Sequence, residues 1–195
     1  MDMLYDTLPL SEWQVMTEPI LHWEDLLAPF YQAPSHSNAK EALAALLQVQ
    51  VLCAYSIETP TQDQAPWVVM ERGPWSSLAV FLPAQELPHA FERVVYDAAH
   101  CMGDTLTKAL PTAVIYLKAE PEACLQRVNS RQRAGEEGMT LSYLQSLHNA
   151  YEGAVGTFAG TCIQVDANRP PDAVFADVHQ AIYDLMSAEA QLYDF

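Results

Sequence analysis

Four short apolar runs break an otherwise amphipathic chain: Trp13–Thr17, Trp67–Met70, Ala113–Leu117 and Cys162–Val165. They are rich in Val and Ile and lack clean alternation, the pattern of strands covered on both faces. Longer helical periodicities lie between them. Asn38 is placed to cap a helix over Ala39–Tyr55, with Leu43, Leu46, Leu47 and Val51 on one face. Leu87–Leu110 holds a second helical stretch, and Glu120–Arg133 and Leu141–Ala154 read as a third and fourth. Pro170-Pro171 opens a last helix over Asp172–Ser187. Strands alternating with helices predict one α/β domain built on a mainly parallel sheet with flanking helices. The longest linker is Thr59–Pro66.

In open parallel sheets, ligands bind beyond the carboxyl ends of the strands. The first predicted strand ends in Thr17-Glu18-Pro19 and the second in Glu71-Arg72-Gly73. The third runs into Lys118-Ala119-Glu120-Pro121 and the last ends in Asp166-Ala167-Asn168. A carboxylate just past a buried strand suits a general base or a magnesium ligand, and equally a helix cap or a solvated loop.

Charge sharpens this picture. The 195 residues carry 9 Lys+Arg against 25 Asp+Glu, a formal net charge of -16. Such a balance argues against duplex nucleic acid or an anionic membrane as partner. Three of the six arginines nevertheless fall within seven residues, Arg127, Arg131 and Arg133. The first two share a helical face. Guanidinium forks match phosphate oxygens and keep their charge, so a phosphate clamp leading into a loop competes with a solvated, ion-paired face. The cysteines, Cys53, Cys101, Cys124 and Cys162, have neither C-x-x-C nor zinc-ligand spacing and read as reduced core thiols of an intracellular protein. The N-terminus lacks a signal-peptide pattern, and no apolar run reaches the ~18 residues of a membrane span.

In chain order, Thr17-Glu18-Pro19 with Trp23, then Met70-Glu71-Arg72, then the run Cys124–Glu152 containing Arg-Gln-Arg-Ala-Gly-Glu, resemble the deoxyribonucleoside kinase family. The first piece resembles the family's E-P-x-x-x-W segment, the second its E/D-R-S/H motif, the third its lid and following helix. The lid, and Gln48 seven residues before Tyr55, are most similar to herpesvirus thymidine kinases, whereas the short tail after Cys162 is more like the cellular enzymes.

The resemblance implies transfer of the γ-phosphate of ATP, with Mg²⁺, to the 5′-hydroxyl of a deoxynucleoside, thymidine foremost. By resemblance Glu18 is the general base, Glu71 helps hold magnesium, and Arg72 lies beside the 5′-oxygen. Arg127, Arg131 and Arg133, in a lid over about residues 127–138, close on the donor phosphates. Glu136 and Tyr31 hold the 3′-hydroxyl, Gln48 reads the base edge, Phe81 stacks on the base and Trp23 walls the pocket. Asp166 to Asn168 lie near the donor adenine. Each has a plainer reading. Phe81 alone is a core aromatic, Tyr31 a loop-packing residue, and Gln48 a polar residue on an apolar helix that needs a partner. The resemblance also implies a homodimer through the helices after Asn38 and Leu87, a soluble protein of cytoplasm or nucleus, and a viral origin.

Two departures stand out. Gly73 replaces the Ser or His that follows E-R, and no G-x-x-x-x-G-K-[ST] occurs in the chain. In the family that phosphate loop precedes the E-P segment, on a strand lying between the second and third strands predicted here. Its loss removes the N–H cradle and lysine for the donor phosphates, and leaves either a gap or a forced pairing in the sheet. Met1–Tyr5 then reads as the tail of the helix after that loop. A truncated active kinase, a degenerate nucleoside-binding or dimerising homologue, and a chain completed by a partner all fit these features. A thymidylate kinase is a further enzymatic alternative, opposed by the E-P-x-x-x-W segment.

Overall fold

A computed structural model of the chain describes residues 1–58, 67–103, 105–106 and 109–193, the last five as backbone alone. The linker Thr59–Pro66 lies outside the described residues. Four strands form where the apolar runs predict them: β1 (Trp13–Met16), β2 (Trp67–Met70), β3 (Ala113–Lys118) and β4 (Thr161–Asp166). The helices are α1 (Asp2–Thr7), α2 (Glu24–Gln32), α3 (Asn38–Glu58), α4 (Pro74–Ser76), α5 (Leu82–Ala84), α6 (His89–Met102), α7 (Pro121–Arg131), α8 (Leu141–Gly156) and α9 (Pro171–Tyr193). A π turn, Ser77–Phe81, joins α4 to α5.

The sheet is divided. β1 pairs with β2 in parallel, Trp13 opposite Trp67 and Met16 opposite Met70. β3 pairs with β4 in parallel, Ala113 opposite Thr161 and Lys118 opposite Asp166. No ladder joins β2 to β3 among the described residues. Of the two outcomes anticipated from the sequence, the gap is the one observed. The halves are bridged by packing instead. Leu4 and Leu8 of the N-terminal segment and Ile182, Phe175 and Val178 of α9 gather Trp13, Val15, Trp67, Val69 and Ile115 into one apolar cluster. Trp13 stacks on Trp67 at 5.7 Å, across the first rung of β1–β2.

The larger core lies on the other side. Trp23, Leu27 and Phe30 from the α2 region, Leu47, Leu52 and Tyr55 from α3, and Leu82, Leu87, Val95 and Leu106 pack together. By length and composition α3 is apolar enough to cross a bilayer. Here it is a core helix, turning Leu52 and Tyr55 fully inward.

Several local expectations change. Ser37, not Asn38, caps α3: its Oγ accepts from the Lys40 N–H, and Asn38 is already helical. The third predicted helix stops at Arg131 rather than Arg133, because Gln132 adopts a left-handed conformation (φ 49°) and its N–H closes on the Val128 carbonyl. Helix α2 sets Leu27 and Phe30 on one buried face, but Pro29 inside its nine residues hides it from the sequence reading. The cysteines are free, but none is fully buried and Cys101 is exposed, so they are not core thiols.

Candidate active site

The carboxyl ends of β1 and β2 deliver the acidic residues together. β1 stops at Met16, whose carbonyl accepts the Glu71 N–H, and the Glu71 carboxylate accepts the Glu18 N–H at 3.3 Å. Arg72 then takes a positive φ (64°) and Gly73 follows at φ 95°. L side chains rarely adopt that φ, so the departure from Ser or His belongs to this tight reversal. The turn swings Arg72 back across the sheet end. Its Nη1 donates to Glu18 Oε1 at 2.9 Å, and its guanidinium lies 5.0 Å from the Phe81 ring centroid. Glu18 is 13% exposed and Arg72 46%. Burial raises the Glu18 carboxyl above its ordinary pKa, against the opposing pull of Arg72.

Glu18 and Arg72 line a cleft together with Trp23, Tyr31, Gln48 and Phe81. The cleft therefore gathers six of the residues singled out from the sequence, Glu18 and Arg72 included. The π turn brings both of its ends, Ser77 and Phe81, to the cleft, a use typical of this rare geometry. Phe81 meets Tyr151 edge-on at 6.2 Å. Tyr31 contacts Phe30 and Tyr143 edge-to-face, and burial pushes its phenol up to about 12.

The arginines separate. Arg127 Nη2 donates to the Ala167 carbonyl, bracing α7 against the β4–α9 loop. Arg131 forks onto Glu136, Nε to Oε2 at 2.9 Å and Nη2 to Oε1 at 2.7 Å, and Arg133 approaches the same carboxylate at 3.7 Å. Glu136 is only 7% exposed between them. In this resting arrangement a carboxylate occupies the forks that a phosphate would need. Asp166 and Asn168 are also mutually engaged: Asn168 donates from its backbone and side chain to Asp166 Oδ1, holding that carboxyl below its usual range. Asn168 Oδ1 accepts the Glu120 N–H, stitching the ends of β3 and β4.

Some members of the site had no signal in the sequence. Ser77 donates to Gln48 Oε1, and Tyr55, marked in the sequence only by its spacing from Gln48, donates to the Glu71 carbonyl. Lys40 donates to the Phe30 carbonyl near the end of α2 and lies 3.7 Å over the Phe30 ring, which steadies the turn carrying Tyr31. Gly138, in the segment between α7 and α8, packs onto that same turn. A Cβ there would fall 2.7 Å from the Tyr31 carbonyl oxygen and 2.9 Å from its Cβ. Backbone cannot yield as a side-chain tip can. Gly138→Ala is thus expected to cost about 1–3 kcal/mol of stability by overpacking. Thermal unfolding checks this, and an unchanged midpoint would exclude the contact.

Among the described residues no group of three His, Cys, Asp or Glu converges as a protein-only metal cage. Mg²⁺ is commonly held by one or two carboxylates together with substrate phosphates. The Glu71 carboxylate, at the end of β2, fits that mode.

Comparison with known proteins now adds to the geometry. A family model described as deoxynucleoside kinase matches residues 1–192. The chain is 27% identical over 172 residues to "Putative kinase protein 143R" of Invertebrate iridescent virus 6, covering 87% of this chain and 84% of that protein. It is 31% identical over 108 residues to "Thymidine kinase" of Ictalurid herpesvirus 1, covering 54% of this chain and 47% of that one. Human "Deoxycytidine kinase" is 28% identical over 169 residues, covering 73% and 65% respectively.

Proposed function

The chain belongs to the deoxynucleoside kinase family, and from that premise we propose that it transfers the γ-phosphate of ATP to the 5′-hydroxyl of a deoxynucleoside bound in the cleft. The observation that carries this reading is the Glu18–Arg72 pair at the joined ends of β1 and β2, opening on a pocket with a buried amide and an aromatic floor. Glu18 takes the 5′-hydroxyl proton as general base, and Arg72 neutralises charge as the phosphoryl group arrives. Trp23 and Phe81 flank the base, Gln48 contacts its edge, and Tyr31 with Glu136 orients the sugar. Such transfers depend mainly on positioning and charge neutralisation.

For the donor, Arg131 and Arg133 turn from Glu136 to the phosphates on lid closure, while Arg127 fixes the helix from which they pivot. Asp166 and Asn168 flank the donor base. Glu71 would hold Mg²⁺, and the bound ion would neutralise phosphate charge there. The protein is intracellular, of viral origin, and dimerises through α3 and α6, where Leu46, Ile57, Val94 and Tyr96 are exposed apolar residues.

The divided sheet favours a second reading, nucleoside binding without transfer. Radiolabelled phosphate transfer from ATP to thymidine and deoxycytidine, with calorimetry on the same sample, separates the two. Transfer is the expected result. Saturable binding with no product would establish the second reading, and a product formed only from a monophosphate acceptor would point to a thymidylate kinase.

A further inference from the structure

The pair of strands that ends in Glu18 and Arg72 and the pair from which α7 and its arginines spring share no ladder among the described residues. Helix α8 reaches both sides. Two consecutive α8 residues grip β3. Tyr151 stacks on Tyr116 at 5.6 Å with the rings 14° apart, and Glu152 accepts from Lys118 at 2.6 Å. Tyr116 and Lys118 are two apart on a strand and so share one face. Tyr151 also meets Phe81 of the π turn edge-on at 6.2 Å, and the Phe81 ring centroid lies 5.0 Å from the Arg72 guanidinium. A row of rings therefore runs from β3 through Tyr116, Tyr151 and Phe81 to Arg72. The same neighbours act on the Tyr151 phenol, which burial raises above its ordinary pKa while Arg72 opposes the rise.

The far end of the row needs that support. The Arg72 side chain is 46% exposed and holds Glu18 through Nη1. An exposed ion pair does little to fix its own geometry. A ring face against the guanidinium limits where it can stand, provided the ring is itself held. Phe81 lines the open cleft on one side and has Tyr151 on another. We propose that Tyr151 is a positioning residue for phosphoryl transfer: its ring backs Phe81 and thereby sets where the Arg72 guanidinium stands against Glu18. The inference rests on the reading of this site as a kinase centre. Both contacts belong to the ring, so phenylalanine keeps them and leucine does not.

Tyr151→Phe should leave kcat within about threefold of wild type. Tyr151→Leu should lower kcat by about 10²-fold, the order lost when a reacting group is misplaced by ~1 Å, and move the nucleoside dissociation constant far less. In an Arg72→Met background the same leucine substitution should cost less than about threefold, because the group it positions is gone. The Nε–Hε NMR signal of Arg72, identified by its loss in Arg72→Met, reports the guanidinium without turnover. It should coincide in wild type and Tyr151→Phe and move in Tyr151→Leu. A folded Tyr151→Leu variant with an unmoved Arg72 signal overturns the proposal. So does an equal loss of kcat in both backgrounds, the mark of an aromatic that only fills the core. A loss in Tyr151→Phe as large as in Tyr151→Leu also overturns it, by assigning the effect to the hydroxyl. If Tyr151→Leu does not fold, Tyr116→Leu, which removes only the ring behind Tyr151, decides by the same signal and the same two backgrounds. A folded wild-type chain that transfers no phosphate is a different result. It overturns the kinase reading, and the Arg72 signal still decides whether Tyr151 sets the guanidinium.

Discussion

Glu18→Gln is expected to lower kcat for phosphoryl transfer by about 10²–10⁴-fold, the range of a lost general base, while leaving the deoxynucleoside dissociation constant within about threefold. Glutamine keeps the shape and the hydrogen bond to Arg72 but cannot take a proton. Stability should move the other way. Burial raises the Glu18 pKa in the folded chain, so folding favours its protonated form. That contribution is fully present below the ordinary carboxylate value and is lost as pH rises through the raised one. At neutral pH the ionised Glu18 therefore weighs against the fold, and the glutamine variant should melt no lower than wild type. Less active but not less stable is the signature of a residue kept for chemistry. A structural ion pair would give the reverse, a lower melting midpoint with turnover retained.

The same shift fixes a pH dependence. A general base must be ionised, so the acidic limb of kcat/KM should lie above the ordinary carboxylate range. Removing the Arg72 charge, as in Arg72→Met, should push that limb to higher pH, since Arg72 opposes the effect of burial. Following the Glu18 side-chain carboxyl carbon by NMR gives the titration even where turnover is too slow to measure.

The strands and the acids at their ends were legible in the sequence for one physical reason. Each strand is a short apolar run and the first charged residue marks where it stops, although Val68 and Leu117 are exposed, so the strands are not covered on both faces as their composition suggested. Glu18 and Glu71 stand out on that rule alone, and the structure brings them together. Gln48 likewise stood out as a polar residue on an apolar helix. Its partner did not, because Ser77 lies 29 residues away in a turn without periodicity. Helix α2 was hidden by its internal proline, and the end of α7 by a left-handed glutamine that no composition rule marks. The fate of the arginines was the least readable. Spacing puts Arg127 and Arg131 on one face, yet Arg127 reaches the Ala167 carbonyl and Arg131 reaches Glu136. Which partner a long flexible side chain selects depends on tertiary neighbours that spacing does not encode.

Arg131→Ala should lower kcat by about 10³-fold, the order lost with an arginine that neutralises a transferring phosphoryl group, and weaken nucleoside binding far less. The resting structure complicates the bare comparison, because the substitution also strips a buried carboxylate of its bidentate partner, leaving Glu136 with Arg133 at 3.7 Å among the described residues. An uncompensated buried charge disturbs its surroundings in its own right, and here the surroundings include Tyr31. The two causes separate in a double-mutant cycle. In a Glu136→Gln background the buried charge is gone, so any loss from Arg131→Ala through an orphaned carboxylate disappears. A loss through the donor phosphates persists. Single-turnover measurements at saturating nucleoside should therefore show the 10³-fold order of loss in both backgrounds. If it vanishes in the Glu136→Gln background, Arg131 is a structural partner of the lid, and the phosphate clamp must be sought at Arg133 and Arg72 instead.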